Sequence, residues 1–202
     1  MPYLESQLKL KRCPHCNVDS PSLLVMNFFE TENYTESDRR VWGTYKCARC
    51  GGVILAASTK MDNEITEMYP SSIIVNEAIP TRAKEYLEQA IESIHAPAGA
   101  IMLASSSIDA MLKNKGYKGG PLYSRINKAW EEHLITEEMS RWAHQVRLDA
   151  NEQRHADEDL ALPTEDDAKK TIDFTLALAE FLFVLPSKVA KGIEATKVTP
   201  EK

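Results

Sequence analysis

Residues 142–155 read Trp-Ala-His-Gln-Val-Arg-Leu-Asp-Ala-Asn-Glu-Gln-Arg-His, and their spacing is typical of an amphipathic helix. Positions three and four apart share one face of a helix. One face carries a mainly polar set: His144, Arg147, Leu148, Asn151 and His155. The other face carries a mainly apolar set: Met139, Trp142, Ala143, Val146 and Ala150. The stretch therefore predicts a helix with one face in a core and the other presenting groups that can handle a phosphate.

The preceding sequence predicts three further helices. Apolar residues recur at helical spacing over residues 81–95, after Pro97 and again from Leu122. Pro97 suits the first position of a helix, and Gly116 suits the residue just beyond a helix end.

Two threonines are predicted to start the remaining helices. Thr136 is a candidate N-cap for the helix that contains residues 142–155, and Thr164 with Asp167 resembles a capping box. The helix after Thr164 is apolar around most of its circumference, which is typical of a central or interface helix. We expect it to end at Pro186 and residues 187–202 to form a flexible tail.

Four cysteines in two pairs predict a metal site near the N-terminus. The pairs are Cys13-Pro14-His15-Cys16 and Cys47-Ala48-Arg49-Cys50. Each pair can present two thiolates to one ion, and together they form the tetrahedral set that structural Zn²⁺ prefers. Two alternatives to a metal site remain. One is a redox motif, which would need only one cysteine pair beside a βαβ pattern, and the other is four cysteines that are buried without a shared function. His15 is expected to be an exposed spacer and not a ligand.

The sequence around the cysteines predicts β-strands. The segments 23–29, 41–46 and 53–57 are rich in β-branched and aromatic residues, and residues 30–40 are polar, as in a hairpin tip. We therefore predict an α+β protein. A small β-rich zinc ribbon over residues 1–78 precedes an all-α bundle of about five helices over residues 79–186.

Charge and hydropathy restrict the function classes. The 202-residue chain carries a net charge of −6, which disfavours a broad, sequence-independent nucleic-acid surface but allows a local basic site. Trp42, Trp130 and Trp142 are expected in the core, since no basic patch frames them. No apolar run is long enough to span a bilayer, and no signal peptide is visible, so we expect a cytoplasmic protein without membrane partners.

The predicted bundle, over roughly residues 80–186, resembles the HEPN-like family known as domain of unknown function 4145. The matching segments are Ile79 to Ala90, then Arg147-Leu148-Asp149-Ala150-Asn151-Glu152-Gln153-Arg154-His155, then Thr164 to Ala168. Ala150 stands where the family usually has glycine. Ser105-Ser106-Ser107 and Asp109 stand where it tends to have an arginine and a glutamate. Zinc ribbons are also familiar ahead of such domains.

The resemblance implies a metal-independent ribonuclease, or a toxin or defence effector, that acts on RNA. Many HEPN proteins resemble metal-independent ribonucleases of toxin and defence systems, which use an arginine and a histidine at the two-fold face of a dimer. By that resemblance His155 would be the general acid or base, Arg147 would stabilise the phosphorane and Asn151 would position one of the groups. RNA would be the partner, and the helical domain would form a homodimer.

The spacing of Arg147 and His155 leaves an alternative open. Eight residues of straight helix correspond to about 12 Å of rise and about 80° of rotation, so the two side chains need a bend or a second subunit to meet. Alternatively, Asn151 and His155 secure the helix end, and Arg147 pairs with an acidic neighbour: Asp149, Glu152 or Asp157. The protein would then be a non-catalytic, dimeric binding or regulatory module of a bacterial or phage defence system, with a protein partner.

Overall fold

The computed structural model describes residues 2–71, 75–154 and 161–197, and the chain divides into two compact units, residues 1–74 and 75–202. Each unit has its own cluster of buried apolar side chains. The first is built on an antiparallel sheet and the second on helices, which confirms the predicted α+β class. The predicted domain boundary between residues 78 and 79 stays a prediction.

The first unit contains a four-stranded antiparallel sheet with its strands in sequential order. The strands are β1 Leu23–Thr31, β2 Arg40–Cys47, β3 Val53–Ser58 and β4 Glu67–Tyr69. The three predicted strands are confirmed, each slightly longer than its apolar run. The three residues of β4 are too few to show an alternating pattern, and this strand was not predicted.

Tyr45 in β2 lies at the centre of this unit. It is fully buried, and its hydroxyl donates a 2.7 Å hydrogen bond to the Glu5 carbonyl, which satisfies the buried polar atom. Burial raises the pKa of Tyr45 to about 12. The segment that precedes the first cysteine pair is thereby attached to the sheet that follows it.

Helices make up the regular structure of the second unit. They are α1 Thr81–Glu92, α2 Pro97–Asn114, α3 Leu122–Glu131, α4 Glu137–Glu152, α5 Glu165–Ala179 and α6 Leu185–Lys197. The predicted helix starts are confirmed: Pro97 is at the start of α2, Thr136 accepts a hydrogen bond from the Met139 amide, and Thr164 forms a reciprocal capping box with Asp167. Gly116, with a φ of 102°, follows the end of α2 as predicted.

The prediction that the last helix ends at Pro186 is wrong. A π turn, Glu180–Val184, joins α5 to α6 without a break, and the Leu185 amide donates to the Glu180 carbonyl five residues earlier. Proline in a regular α-helix clashes with the carbonyl four residues before it, and a wider turn relieves that clash. Residues 187–197, which we expected in the flexible tail, are therefore helical, and residues 198–202 lie outside the described part of the chain.

Helix α2 forms the centre of the bundle and packs against α1, α4 and α5. The predicted apolar face of α4 is confirmed at Ala143, Val146 and Ala150, which are all buried. Trp142 and Trp130, however, are 48% and 41% exposed, so the expectation that they lie in the core is wrong. Trp142 covers the edge of the core instead, stacked on Phe174 with ring centroids 4.7 Å apart.

Candidate functional site

The four cysteines form one cluster that could hold a metal ion. Their Sγ atoms all lie within 4.8 Å of one another, and those of Cys13 and Cys50 are 3.9 Å apart. Tetrahedral zinc with Zn–S bonds of about 2.3 Å places its sulfur ligands about 3.8 Å apart. The sulfur arrangement therefore fits a tetrathiolate site, which the sequence predicted for Cys13, Cys16, Cys47 and Cys50.

The two cysteine pairs sit on nearly identical backbone turns. The amide of Asn17 donates to the Cys13 carbonyl, and the amide of Gly51 donates to the Cys47 carbonyl, both at 2.9 Å. In each turn the amide of the first cysteine also bonds to the carbonyl five residues later. Both Asn17 and Gly51 have positive φ, 52° and 73°. The chain thus builds the same thiolate-presenting turn twice.

The environment of the thiols differs across the cluster. Burial raises the pKa of Cys13 to about 12, the direction expected when a charge is removed from water. Burial also opposes ionisation of Cys47, but hydrogen bonds from the backbone amides of Cys50 and Arg49 lower its pKa to about 7. Such amides stabilise thiolate charge, and a bound cation would stabilise it at all four sulfurs.

His15 is the exposed spacer that the sequence predicted, and it links the two turns. Its Nε2 lies 2.7 Å from the Val53 carbonyl, at the start of β3. Its ring covers Gly52 so closely that a Cβ atom added there would overlap the imidazole. His15 therefore requires glycine at position 52, a contact that the sequence motif alone did not show.

The second unit contains a basic pocket, a cavity of about 580 Å³ lined by side chains of α1, α2, α3 and α4. Its charged lining consists of five cations and one carboxylate: Arg82, Lys113, Arg125, Arg147, Arg154 and Asp109. Its volume lies in the usual range for a small-ligand site. In a chain of net charge −6 this pocket is a local concentration of positive charge, which favours an anionic ligand.

Asp109 holds two of the cations at the pocket wall. Its carboxylate lies 2.6 Å from Arg125 Nη1 and 2.5 Å from Lys113 Nζ. The Arg125 side chain is only 11% exposed, and among the described residues its Nε has no hydrogen-bond partner. Two cations thus share one carboxylate, and the buried guanidinium retains an unused donor.

Arg147 is held by an aromatic ring. Its guanidinium carbon lies 5.4 Å from the centroid of Tyr123, in the geometry of a cation–π contact. No carboxylate of the described residues lies within ion-pair distance of Arg147, so the alternative pairing with Asp149 or Glu152 is not observed. Asp157, the third alternative partner, lies outside the described part of the chain.

His144 contacts the same tyrosine ring. Its ring centroid is 4.9 Å from that of Tyr123, and its Nε2 donates a 2.8 Å hydrogen bond to Asn127 Oδ1. Its Nδ1 is buried and has no partner among the described residues. Burial, and next the charge of Arg147, lower the pKa of His144, which favours the neutral imidazole.

The structure brings two of the three predicted catalytic residues into one site. Arg147 and Asn151 both line the basic pocket, whereas His155 lies outside the described residues. Sequence reasoning missed Arg82, Lys113 and Arg125, which reach the pocket from three other helices. Their positions in the sequence follow no common motif, so only the packing of the helices brings them together.

A comparison with protein families identifies the helical unit. Residues 79–196 match the family model described as Domain of unknown function (DUF4145). The chain belongs to this family. The match confirms the resemblance seen in the sequence, and all residues that line the basic pocket lie within the matched range of the DUF4145 domain.

Further comparisons add no relative of known role. No curated protein and no solved structure matched this chain. Among the described residues, no helix combines the length and the hydropathy needed to cross a membrane.

Proposed function

We propose that the DUF4145 domain binds RNA in its basic pocket and cleaves it without a metal, as a toxin or defence effector. The observation that carries this proposal is the excess of positive charge in the pocket, which is lined by five cationic side chains and one carboxylate. Among the described residues, no carboxylate forms an ion pair with Arg147, which contacts the Tyr123 ring instead. Cationic side chains with free N–H groups are the usual ligands of phosphate oxygens. The resemblance to HEPN ribonucleases supplies the reaction type.

Three residues carry the proposed reaction. Arg147 would stabilise the charge that develops on the phosphorane, and Asn151 would orient the phosphate from the same helix face. His155 would transfer the proton of the ribose 2′-hydroxyl or of the leaving oxygen. The nucleophile is then the 2′-hydroxyl oxygen, and the bond that breaks joins phosphorus to the 5′-oxygen of the next nucleotide.

A ribonuclease assay with the full-length, metal-loaded protein tests the proposal. In buffer without Mg²⁺, the wild-type protein should cleave single-stranded RNA, and Arg147→Ala and His155→Ala should each lower the rate by about 100-fold or more. Arg141→Ala is the matched control, because Arg141 lies on α4 but is 74% exposed and pairs with Glu137. Equal cleavage by wild type and by both variants would contradict the proposal.

The alternative is a non-catalytic, dimeric binding or regulatory module of a bacterial or phage defence system. Clustered cations from four helices support anion binding without any requirement for His155. This function predicts no RNA turnover and a ligand or protein partner whose binding survives His155→Ala. Arg147→Ala should lower the affinity for an anionic ligand under either function. His155→Ala separates the two functions, because it should abolish RNA cleavage but leave ligand or partner binding intact.

We also propose that the cysteine cluster binds one structural Zn²⁺ through Cys13, Cys16, Cys47 and Cys50. The short sulfur–sulfur distances and the repeated turn support this assignment. Metal analysis of freshly purified, reduced protein should give one zinc per chain, and Cys47→Ser should lose it. His15→Ala should retain zinc, because the proposed ligand set consists of the four clustered cysteines and the His15 Nε2 contacts the Val53 carbonyl instead.

We further propose that the protein forms a homodimer through its helical domain. We expect this dimer to be located in the cytoplasm. Leu185, Val189 and Ile193 form an exposed apolar stripe along α6. Exposed apolar side chains at this helical spacing are typical of an interaction surface, which supports a partner on this stripe. Light scattering should show a dimer that Val189→Glu disrupts and that the neighbouring exchange Lys191→Glu does not.

A further inference from the structure

We infer that the basic pocket contains a second anion subsite, formed by Arg82 and Tyr86 of α1, and that its ligand therefore carries at least two phosphate groups. This inference rests on the proposed function, because it concerns the same pocket. It adds a subsite that the Arg147, Asn151 and His155 motif does not include.

Arg82 has the properties of a ligand-binding cation. It lines the pocket, and its Nη2 donates a 3.2 Å hydrogen bond to the Tyr86 hydroxyl one helical turn later. Its guanidinium carbon lies 5.3 Å from the centroid of the Tyr86 ring. Within the described ranges no carboxylate lies within ion-pair distance of Arg82. The side chain is thus oriented, while its charge is not neutralised by a neighbour.

The same arrangement occurs at Arg147, which rests on Tyr123 at 5.4 Å. A tyrosine orients a guanidinium without neutralising its charge, and at Arg82 the Tyr86 hydroxyl engages Nη2 and leaves the other N–H groups to phosphate. A carboxylate would occupy the N–H edge that binds phosphate, as Asp109 does at Arg125. The pocket therefore contains two arginines with aromatic support and available charge, one from α1 and one from α4.

The two arginines belong to different parts of the pocket lining. Arg82 comes from α1 and Arg147 from α4, and both helices pack against α2, which also lines the pocket through Ser105, Asp109 and Lys113. Five cations against one carboxylate also exceed the charge of a single phosphate. A ligand with two phosphates would match both the charge and the two separate arginines.

Titration calorimetry with inorganic phosphate and inorganic pyrophosphate tests the second subsite. The full-length protein is used, and its zinc content is checked after each titration because pyrophosphate chelates metals. Wild type should bind pyrophosphate at least about tenfold more tightly than phosphate, the equivalent of one additional charge-assisted contact. Arg82→Gln should remove this preference, so that the variant binds pyrophosphate and phosphate with affinities within about twofold of each other.

Three variants complete the design. Arg147→Gln should lower the affinity for both phosphate and pyrophosphate, whereas the matched control Arg141→Gln should change neither affinity. Tyr86→Phe keeps the ring and should retain most of the pyrophosphate preference, whereas Tyr86→Leu removes the ring that orients Arg82 and should lose most of the preference.

The outcomes separate this inference from the proposed function. Equal affinity of wild type for the two ligands, no binding of either, or an unchanged preference in Arg82→Gln would overturn the second subsite. The ribonuclease assay depends on Arg147 and His155 and is scored independently. RNA cleavage that needs both residues, together with an unchanged preference in Arg82→Gln, would retain the proposed function and reject only the subsite.

Discussion

Asn17 and Gly51 occupy the same position in the two cysteine turns, one residue after the second cysteine of each pair. Both adopt positive φ, and both amides donate to the carbonyl of the first cysteine at 2.9 Å. Glycine adopts this conformation freely, and asparagine is among the few other residues that adopt it readily. The two residues differ in the sequence because the turn selects a backbone conformation and not a side chain.

Exchanges at Asn17 should therefore follow conformational preference. Asn17→Gly should have little effect on the free energy of unfolding of the first unit, whereas Asn17→Val should destabilise it by about 1–3 kcal/mol, the usual cost of a β-branched residue at positive φ. The measurement is urea unfolding, in which the proposed zinc would be released to a chromogenic chelator as the first unit unfolds. Similar midpoints for the glycine and valine exchanges would show that the turn tolerates strain.

The contact between His15 and Gly52 predicts a coupled pair of mutations. Gly52→Ala places a Cβ atom inside the His15 ring and should destabilise the first unit by about 1–3 kcal/mol through overpacking. In a His15→Ala background the same exchange should cost clearly less, because most of the clashing ring is gone. A double-mutant cycle measures this coupling. Additive free-energy changes would contradict the contact.

The ion pair between Asp109 and Arg125 predicts a large loss of stability on removal of the carboxylate. Asp109→Ala leaves a guanidinium that is 11% exposed without its counterion and should cost about 3 kcal/mol in unfolding free energy. Glu137→Ala is the control, since its exposed pair with Arg141 should contribute no more than about 0.5 kcal/mol. Chemical denaturation of both variants would test this, and equal losses would refute it.

His144 predicts a fall in stability at acid pH. Burial, and to a lesser extent the charge of Arg147, lower the pKa of His144 in the folded protein. As the pH falls, the unfolded chain therefore takes up the proton first, at its ordinary pKa of about 6.5. The contribution of His144 to stability is complete above that pH and is lost progressively below it. His144→Gln should flatten this part of the curve of unfolding free energy against pH. An unchanged slope in the variant would exclude His144 as its origin.

The parts of the fold that the sequence predicted are those with local signals. The paired cysteines, the Thr164–Asp167 capping box and Gly116 each act within a few residues, and all are found where they were predicted. The apolar spacing of α4 likewise predicted its buried face at Ala143 and Val146. In these cases short-range geometry or helical periodicity determines the structure.

The remainder depends on contacts between distant segments. Arg82 and Arg125 belong to different helices and meet at the pocket only through packing on α2. Trp142 fits the apolar stripe of α4 by spacing, yet it lies at the edge of that stripe and packs on Phe174 while staying half exposed. Helical spacing gives the direction of a side chain, but the neighbouring helix determines how completely it is covered.

The π turn before Pro186 has a consequence for the surface of the last helix. A turn with one additional residue rotates everything after it by about 100° relative to an uninterrupted α-helix. The exposed positions Leu185, Val189 and Ile193 therefore face a direction fixed by a single residue within 180–184. Insertion or deletion of one residue there would redirect the whole apolar stripe and leave its composition unchanged, so the number of residues in this turn determines the direction in which the stripe faces.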